Sequence, residues 1–218
     1  MKTIFRLIYF IGLTSLGLVS LSPPAFAARL YLIGGATWQR INSATLDFSR
    51  QLGPQVGIAT DWIPITLRVP RQDRSTHFFG FEFGAFYFQA KSFAYFEGAD
   101  HAISSTGIHF PLIARFWINK SFSIGAGGYY FIPLSEPTDS PTGGESSSFS
   151  ESPSSDYGML LSLKLHLVQD KQWWFLETRY QTSFTTKQSH LGSYYTDSFS
   201  VLLGIQFGPS PYDRYHLY

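Results

Sequence analysis

From residue 77 to residue 89 the chain reads His-Phe-Phe-Gly-Phe-Glu-Phe-Gly-Ala-Phe-Tyr-Phe-Gln, and that alternation constrains its fold more than any other feature. Successive side chains of an extended strand point to opposite faces. Phe79, Phe81, Phe83, Ala85 and Tyr87 therefore share one face, and Gly80, Glu82, Gly84 and Phe86 share the other. One side is greasy and the other sparse. The same pattern recurs eight times, at residues 29–40, 55–69, 77–89, 106–118, 121–131, 157–167, 172–184 and 197–207. A period of two repeated at this density predicts an all-β chain.

The individual stretches differ in quality. Leu30, Leu32, Ala36 and Trp38 are in phase in the first. In the second, Val56, Ile58 and Trp62 are in phase, but Ile63, Ile65, Leu67 and Val69 take the opposite phase. A flip beside Pro64 predicts a bulge or a strand end. The fourth sets Ile108, Phe110, Leu112, Ala114 and Phe116 against His109 and Arg115, with Pro111 inside it removing a ladder donor,. The fifth opposes Phe122, Ile124, Ala126 and Tyr130 to Ser123, Gly125 and Gly127. The last three oppose Met159, Leu161, Leu163 and Leu165 to Ser162, Lys164 and His166; Trp174, Leu176 and Tyr180 to Glu177, Arg179 and Gln181; and Phe199, Val201, Leu203 and Ile205 to Ser198, Ser200 and Gln206.

Composition decides what lies against the greasy faces. Charged residues are 14% of the chain and aromatics 18%, whereas a soluble domain carries about a quarter charged residues. A soluble sandwich or barrel needs Lys, Glu and Asp along its outer faces. Here the polar faces are mostly Gly, Ser, Thr and Gln with about one charge each, which suits the packed interior of a narrow barrel. The expectation is an antiparallel up-and-down transmembrane β-barrel of eight strands over residues 28–208, followed by a tail at 209–218. Outer-membrane lipid is then the expected partner of the aromatic wall.

The route to a membrane is written in residues 1–27. Lys2 and Arg6 precede an apolar run at 7–21, and Ala25-Phe26-Ala27 is a small-x-small cleavage site. This is the form of a cleavable secretory signal peptide, and the run is short for a spanning helix. With no cysteine anywhere, a lipoprotein anchor, disulfides and thiolate sites are excluded,. Beyond Ala27 there are 14 basic and 15 acidic residues, so no basic excess points to nucleic acid,.

The connections alternate in length. Asn119-Lys120 and residues 168–171 are short links, and 70–76 is a longer member of the same set. Residues 90–105, 132–156 and 185–196 are long. Segregation of loops by end is a property of outer-membrane barrels, whose periplasmic turns are tight and whose extracellular loops are not. Trp117 lies two residues before one short link and Trp173-Trp174 follow another, positions that suit headgroup-level aromatics,.

With these stretches and links the chain resembles the small eight-stranded outer-membrane β-barrels of Gram-negative bacteria, the OmpA-domain, OmpX and OmpW-like group. The resemblance is one of pattern over residues 28–207. It implies an outer-membrane location and recognition by the outer-membrane assembly machinery through an aromatic residue closing the last strand. Phe207 matches that residue, and Tyr218 ends the chain.

Inward phase collects Asp61, Glu82 and Glu177 against Arg115, Lys164 and Arg179, together with His109 and His166. Charges in a narrow lumen must be paired, since desolvating them alone is costly. The near balance of sign suits a structural network that fills the barrel, whereas a selective pore shows one sign. His109 and His166 have no ligand-like spacing around them, so no metal, cofactor or catalytic residue is assigned. Residues 135–156 hold nine Ser, three Pro and five acidic residues without Lys or Arg. That composition reads as a solvated loop, and as the place where an extracellular ligand would dock. The leading expectation is a non-enzymatic barrel with a structural or surface-interacting role. A narrow channel for small or apolar solutes is the alternative. A rim-located lipid-modifying enzyme using Ser189-His190 is a third, without a matching G-x-S-x-G motif.

Overall fold

A computed structural model describes residues 29–43, 49–68, 76–96, 99–119, 121–135, 138–141, 147–148, 155–167, 174–189 and 192–208. The expected signal peptide, Trp173 and the 209–218 tail lie outside the described residues. Eleven strands follow in chain order: β1 (Arg29–Ser43), β2 (Ser49–Arg68), β3 (Thr76–Phe96), β4 (Ala99–Trp117), β5 (Phe122–Pro133), β6 (Thr138–Pro141), β7 (Ser147–Ser148), β8 (Asp156–His166), β9 (Trp174–Ser183), β10 (Lys187–Ser189) and β11 (Gly192–Phe207).

Eight of these are the staves of a closed antiparallel barrel, joined in the order β1-β2-β3-β4-β5-β8-β9-β11 and back to β1. The closing seam runs from Leu30↔Phe207 to Ser43↔Tyr194. Closure leaves no free stave edge, which removes the pairing hazard of an open sheet. The three short strands sit at the long-link end, β6 on β4, β7 on β6 and β10 on β11.

All eight alternating stretches are staves, and their phases hold where side chains are described; the Ile63, Ile65, Leu67 and Val69 side chains lie outside that description. Along β8 burial alternates without a break, and Met159, Leu161, Leu163 and Leu165 all face outward. The flip beside Pro64 is a bulge: the β2–β3 register shifts by one residue between Trp62 and Ile65, and again between Arg50 and Gln55,. Pro111 leaves its mark too. The β3–β4 ladder passes from Phe83↔Leu112 to Phe86↔His109, stepping over Pro111 and resuming in the same register. At the Asn119 turn, the side-chain oxygen accepts from the backbone N–H of Ser121 (2.9 Å) and Phe122 (2.8 Å), which fixes the reversal without glycine,.

Two expectations are corrected. Residues 90–105 are not a loose link: β3 and β4 stay paired from Ala90↔Ser105 to Phe96↔Ala99, so the staves rise past the barrel as one hairpin. Within the Ser-rich 135–156 segment, Thr138–Pro141 pairs with β4. Main-chain hydrogen bonds continue there although side-chain alternation has faded. Trp117 is the second correction. It is 1% exposed and faces the lumen, not the headgroups, because it shares the phase of Arg115. Trp174, one residue later in phase than Trp173, does face outward at the start of β9.

Inside, large rings pack over inward-facing glycines. A Cβ on Gly204 would fall 2.1 Å from the Phe175 ring, and one on Gly107 would fall 2.2 Å from Phe131. Phe175 packs with Tyr31, Ile33, Ala59, Phe86 and Leu202 in one buried cluster, so its ring has nowhere to retreat,. Gly204→Val is therefore expected to lower the unfolding midpoint in detergent by the equivalent of about 1–3 kcal/mol, the usual cost of overpacking. Adding Phe175→Leu should return part of that loss. If Gly204→Val melts like the parent, the ring-over-glycine packing is wrong.

Candidate functional site

The polar faces of the staves converge on the lumen and divide into three layers along it. The central layer joins five side chains from four staves. Glu82 on β3 lies 3.0 Å from Arg115 on β4, 2.5 Å from Lys164 on β8 and 3.1 Å from Arg179 on β9. Glu177 on β9 meets the same three cations, at 2.8 Å for Arg115, 3.8 Å for Lys164 and 2.9 Å for Arg179. All five side chains are 1% exposed or less. β3 and β9 are diametrically opposite, four staves apart by either route. The Glu82–Arg179 contact thus spans the bore.

Part of the remaining hydrogen-bond capacity of these charges is met locally, although among the described residues Arg115 Nε and Arg179 Nη1 close no hydrogen bond. Ser162 donates to Glu177 Oε1 (2.5 Å) and accepts from Arg115 (3.0 Å), which also reaches Ser123 (3.3 Å). Ring faces take the other sides of the cations. Lys164 Nζ sits 4.2 Å from the centre of Tyr31 and 4.5 Å from that of Phe175, and the Arg179 guanidinium lies 4.7 Å over Phe86,.

A second layer closes the short-turn end. Asp61 forms an ion pair with Arg29 and accepts a 2.6 Å hydrogen bond from the Tyr31 hydroxyl. The Arg29 guanidinium lies 4.6 Å over the Trp117 ring, and Trp117 stacks on His166 at 5.3 Å. The third layer lies at the long-link end. There Asp156 pairs with Lys187 (3.3 Å) and accepts from Ser183 (2.5 Å) and Thr196 (3.2 Å). His109 belongs here, among Phe86, Phe88 and Tyr129.

The eight inward polar residues read from phase are thus distributed, not pooled. Glu82, Arg115, Lys164, Glu177 and Arg179 meet. Asp61 and His166 belong to the short-turn layer, and His109 to the other end. Four participants were missed: Arg29, Tyr31, Lys187 and Asp156, the last counted with the solvated 135–156 loop but buried in the lumen at the start of β8. Arg29 and Tyr31 follow from the phase of the first stretch, had its inward face been traced to the start. Lys187 carries no periodic signal, because β10 is three residues long. Among the described residues, no group of three or more His, Asp or Glu is placed to hold a metal ion. His190 lies outside the described residues, so no Ser189–His190 geometry can be drawn.

The central layer holds two carboxylates and three cations, a formal excess of one positive charge. Losing an acid should therefore hurt more than losing a base. Glu82→Gln leaves three cations around one carboxylate, and is expected to cost about 3–5 kcal/mol of stability in detergent. Arg115→Met should cost less. The double variant should recover part of the Glu82→Gln loss, since neighbours in one network are not additive. Equal costs for the two single variants would contradict the shared-carboxylate geometry.

No family model matches the chain, and no curated protein matches it. Solved structures do. Neisserial surface protein A superposes with a TM-score of 0.52 at 15% identity, over 83% of this chain and 99% of that one. The attachment invasion locus protein Ail of Yersinia pestis gives 0.43 at 12%, over 83% and 99%. The outer membrane protein OprG of Pseudomonas aeruginosa gives 0.43 at 13%, over 84% and 98%. The first of these likenesses shows a shared fold, that of a small eight-stranded barrel, and the fold is all that it shows.

Proposed function

We propose that this chain is an outer-membrane β-barrel with a structural or surface-interacting role, and that its lumen is a plug and not a path. The observation that carries the second half is the Glu82–Arg179 contact between opposite staves, braced by Arg115, Lys164 and Glu177. A solute passing that level would have to part ion pairs whose members are already desolvated, leaving each charge uncompensated. A narrow channel requires that layer to open.

The wall supports the first half. Leu32, Ile58, Leu112, Leu161, Leu163 and Leu203 are each 46–58% exposed, on five different staves. Soluble monomers do not wrap themselves in such a surface, and hydrocarbon would accept it. With lipid around the wall and charges sealed inside, what the protein offers to partners is its rim. Export through a cleaved signal peptide and insertion by the outer-membrane assembly machinery at Phe207 or Tyr218 complete this reading, and the 135–156 segment stays its candidate extracellular docking site. The rim-enzyme alternative would show as altered lipid A or phospholipid mass spectra on deletion.

Three measurements test the proposal. Purified protein in planar bilayers should give no steady conductance, and steady ion-selective openings in the parent chain would replace the plug by the channel. Leu163→Arg puts a charge in the middle of the wall, at about 2–4 kcal/mol if that position meets the bilayer centre. It should deplete the heat-modifiable, folded form in outer-membrane fractions, whereas Ser123→Thr should not. Protease added to intact cells should cut within residues 135–156 and spare Asn119-Lys120. Cutting at the short turn with the membrane intact would reverse the orientation.

A further inference from the structure

At the long-link mouth of the lumen, β10 is held differently from the staves. Each stave is hydrogen-bonded along both edges, whereas β10 pairs with β11 alone, over three residues from Lys187↔Tyr194 to Ser189↔Gly192. It also follows a break in register. From Thr182 to Lys187 the chain advances five residues, while β11 covers the same span in three, from Asp197 to Tyr194. The surplus residues form a bulge, which bends a strand and re-aims its side chains. Ser183 fixes the bend, because its Oγ accepts from the Thr185 N–H (3.0 Å) and donates to Asp156 (2.5 Å).

The bend sends Lys187 across the mouth. Its ammonium meets Asp156 at the head of β8 (3.3 Å) and the Phe131 ring on β5 (5.9 Å). The Lys187 and Asp156 side chains are 12% and 5% exposed, so this is not a solvated surface contact. Asp156 draws other staves to the same point, taking Ser183 of β9 and Thr196 of β11. Beneath the pair lies a cavity of about 40 Å³, bordered by Lys187, Asp156, Phe131 and Ser198 among others. At roughly 10–15 Å³ for each water, that is space for about three waters and not for a solute. Deeper on β11, Ser200 is fully buried against Thr37.

A three-residue ladder on one edge is little to hold a strand, and segments with few such bonds open first. On its other side, among the described residues, the hold on β10 is the Asp156–Lys187 pair. We propose that β10 is a strap across the long-link mouth and that this pair is its clasp. Closed, the strap shields the small chamber; released, it opens the chamber to solvent while the central ion layer stays shut. Asp156 also ends the 135–156 segment, which ties the candidate docking site to the clasp. The clasp goes beyond the surface-interacting role, and depends on it only for the side of the membrane from which it is released.

The test uses the full barrel in lipid nanodiscs, where both mouths meet solvent and orientation plays no part. The chain has no cysteine, so Ser198→Cys places a single thiol in the chamber wall and Ser200→Cys places one deeper on the same stave. The probe is a trimethylammonium methanethiosulfonate, too large for the closed chamber. With the clasp intact, both thiols should react slowly. Lys187→Glu, which sets two carboxylates face to face, and Asp156→Asn should each speed modification of Ser198→Cys by about tenfold or more and leave Ser200→Cys slow. Lys187→Arg, which keeps the charge, should leave both slow. Equal rates for Ser198→Cys with and without the clasp overturn the inference. So does an equal rise in Ser200→Cys, since the barrel has then loosened as a whole. Where Ser198→Cys fails to give the heat-modifiable folded form, hydrogen exchange of the Lys187–Ser189 amides is compared in cysteine-free Lys187→Glu and Lys187→Arg. Exchange should be faster in Lys187→Glu by about tenfold or more, and equal exchange overturns the inference. Bilayer conductance is recorded alongside. Steady openings in the parent would end the plug reading, and the clasp would still stand or fall on its own rates.

Discussion

Two carboxylates shared among three cations govern this barrel. Removing Glu82 or Glu177 from water is affordable only because each is surrounded at once by charges from β4, β8 and β9,. That requirement sets the bore, since the side chains must meet, and it sets the stave order, since the contacts cross the diameter. It also dictates the neighbours. Small residues such as Ser162 and Ser123 take some of the leftover hydrogen bonds, and Tyr31, Phe86 and Phe175 offer ring faces where water would otherwise be needed. The outer wall follows as the complement, for a chain that places its charges inside has only apolar residues left to put outside.

Much of this was legible because a period of two reports which face a residue takes. Glu82, Arg115, Lys164, Glu177 and Arg179 could be placed inward from alternation alone. Alternation does not report height along the barrel or which inward residues lie opposite one another. Asp61 therefore looked like a member of the central group, although it binds Arg29 at the short-turn end. Trp117 shows two signals in conflict. Its nearness to a charged turn suggested the interface, its phase put it inside, and phase prevailed because backbone geometry fixes it,.

The long-link end was read less well, for a physical reason. Periodicity appears in a sequence only where the two faces of a strand meet different surroundings. Beyond the greasy belt both faces of the β3–β4 hairpin are mixed in character, yet the backbone ladder continues from Ala90↔Ser105 to Phe96↔Ala99. Composition marks the same region as loop because Lys91, Ser92, Asp100 and Ser104 interrupt the apolar pattern. Cross-strand hydrogen bonds hold such a segment without any hydrophobic pattern, so nothing in the side chains announces it.

The diametric contact also says something about order in time. Glu82 and Arg179 are separated by 97 residues along the chain, and they can touch only when the sheet has curled enough to bring β3 over β9. Until that moment pairs on one stave or on adjacent staves, such as Glu177 with Arg179 and Glu82 with Arg115, can already meet, but those between Glu82 and the cations of β8 and β9 cannot. Contacts so distant in sequence reward the chain late, after the entropy of closing the loop has been spent. The curling of the sheet and the completion of the ion layer should consequently go together, with flat, open sheets as the kinetically vulnerable species.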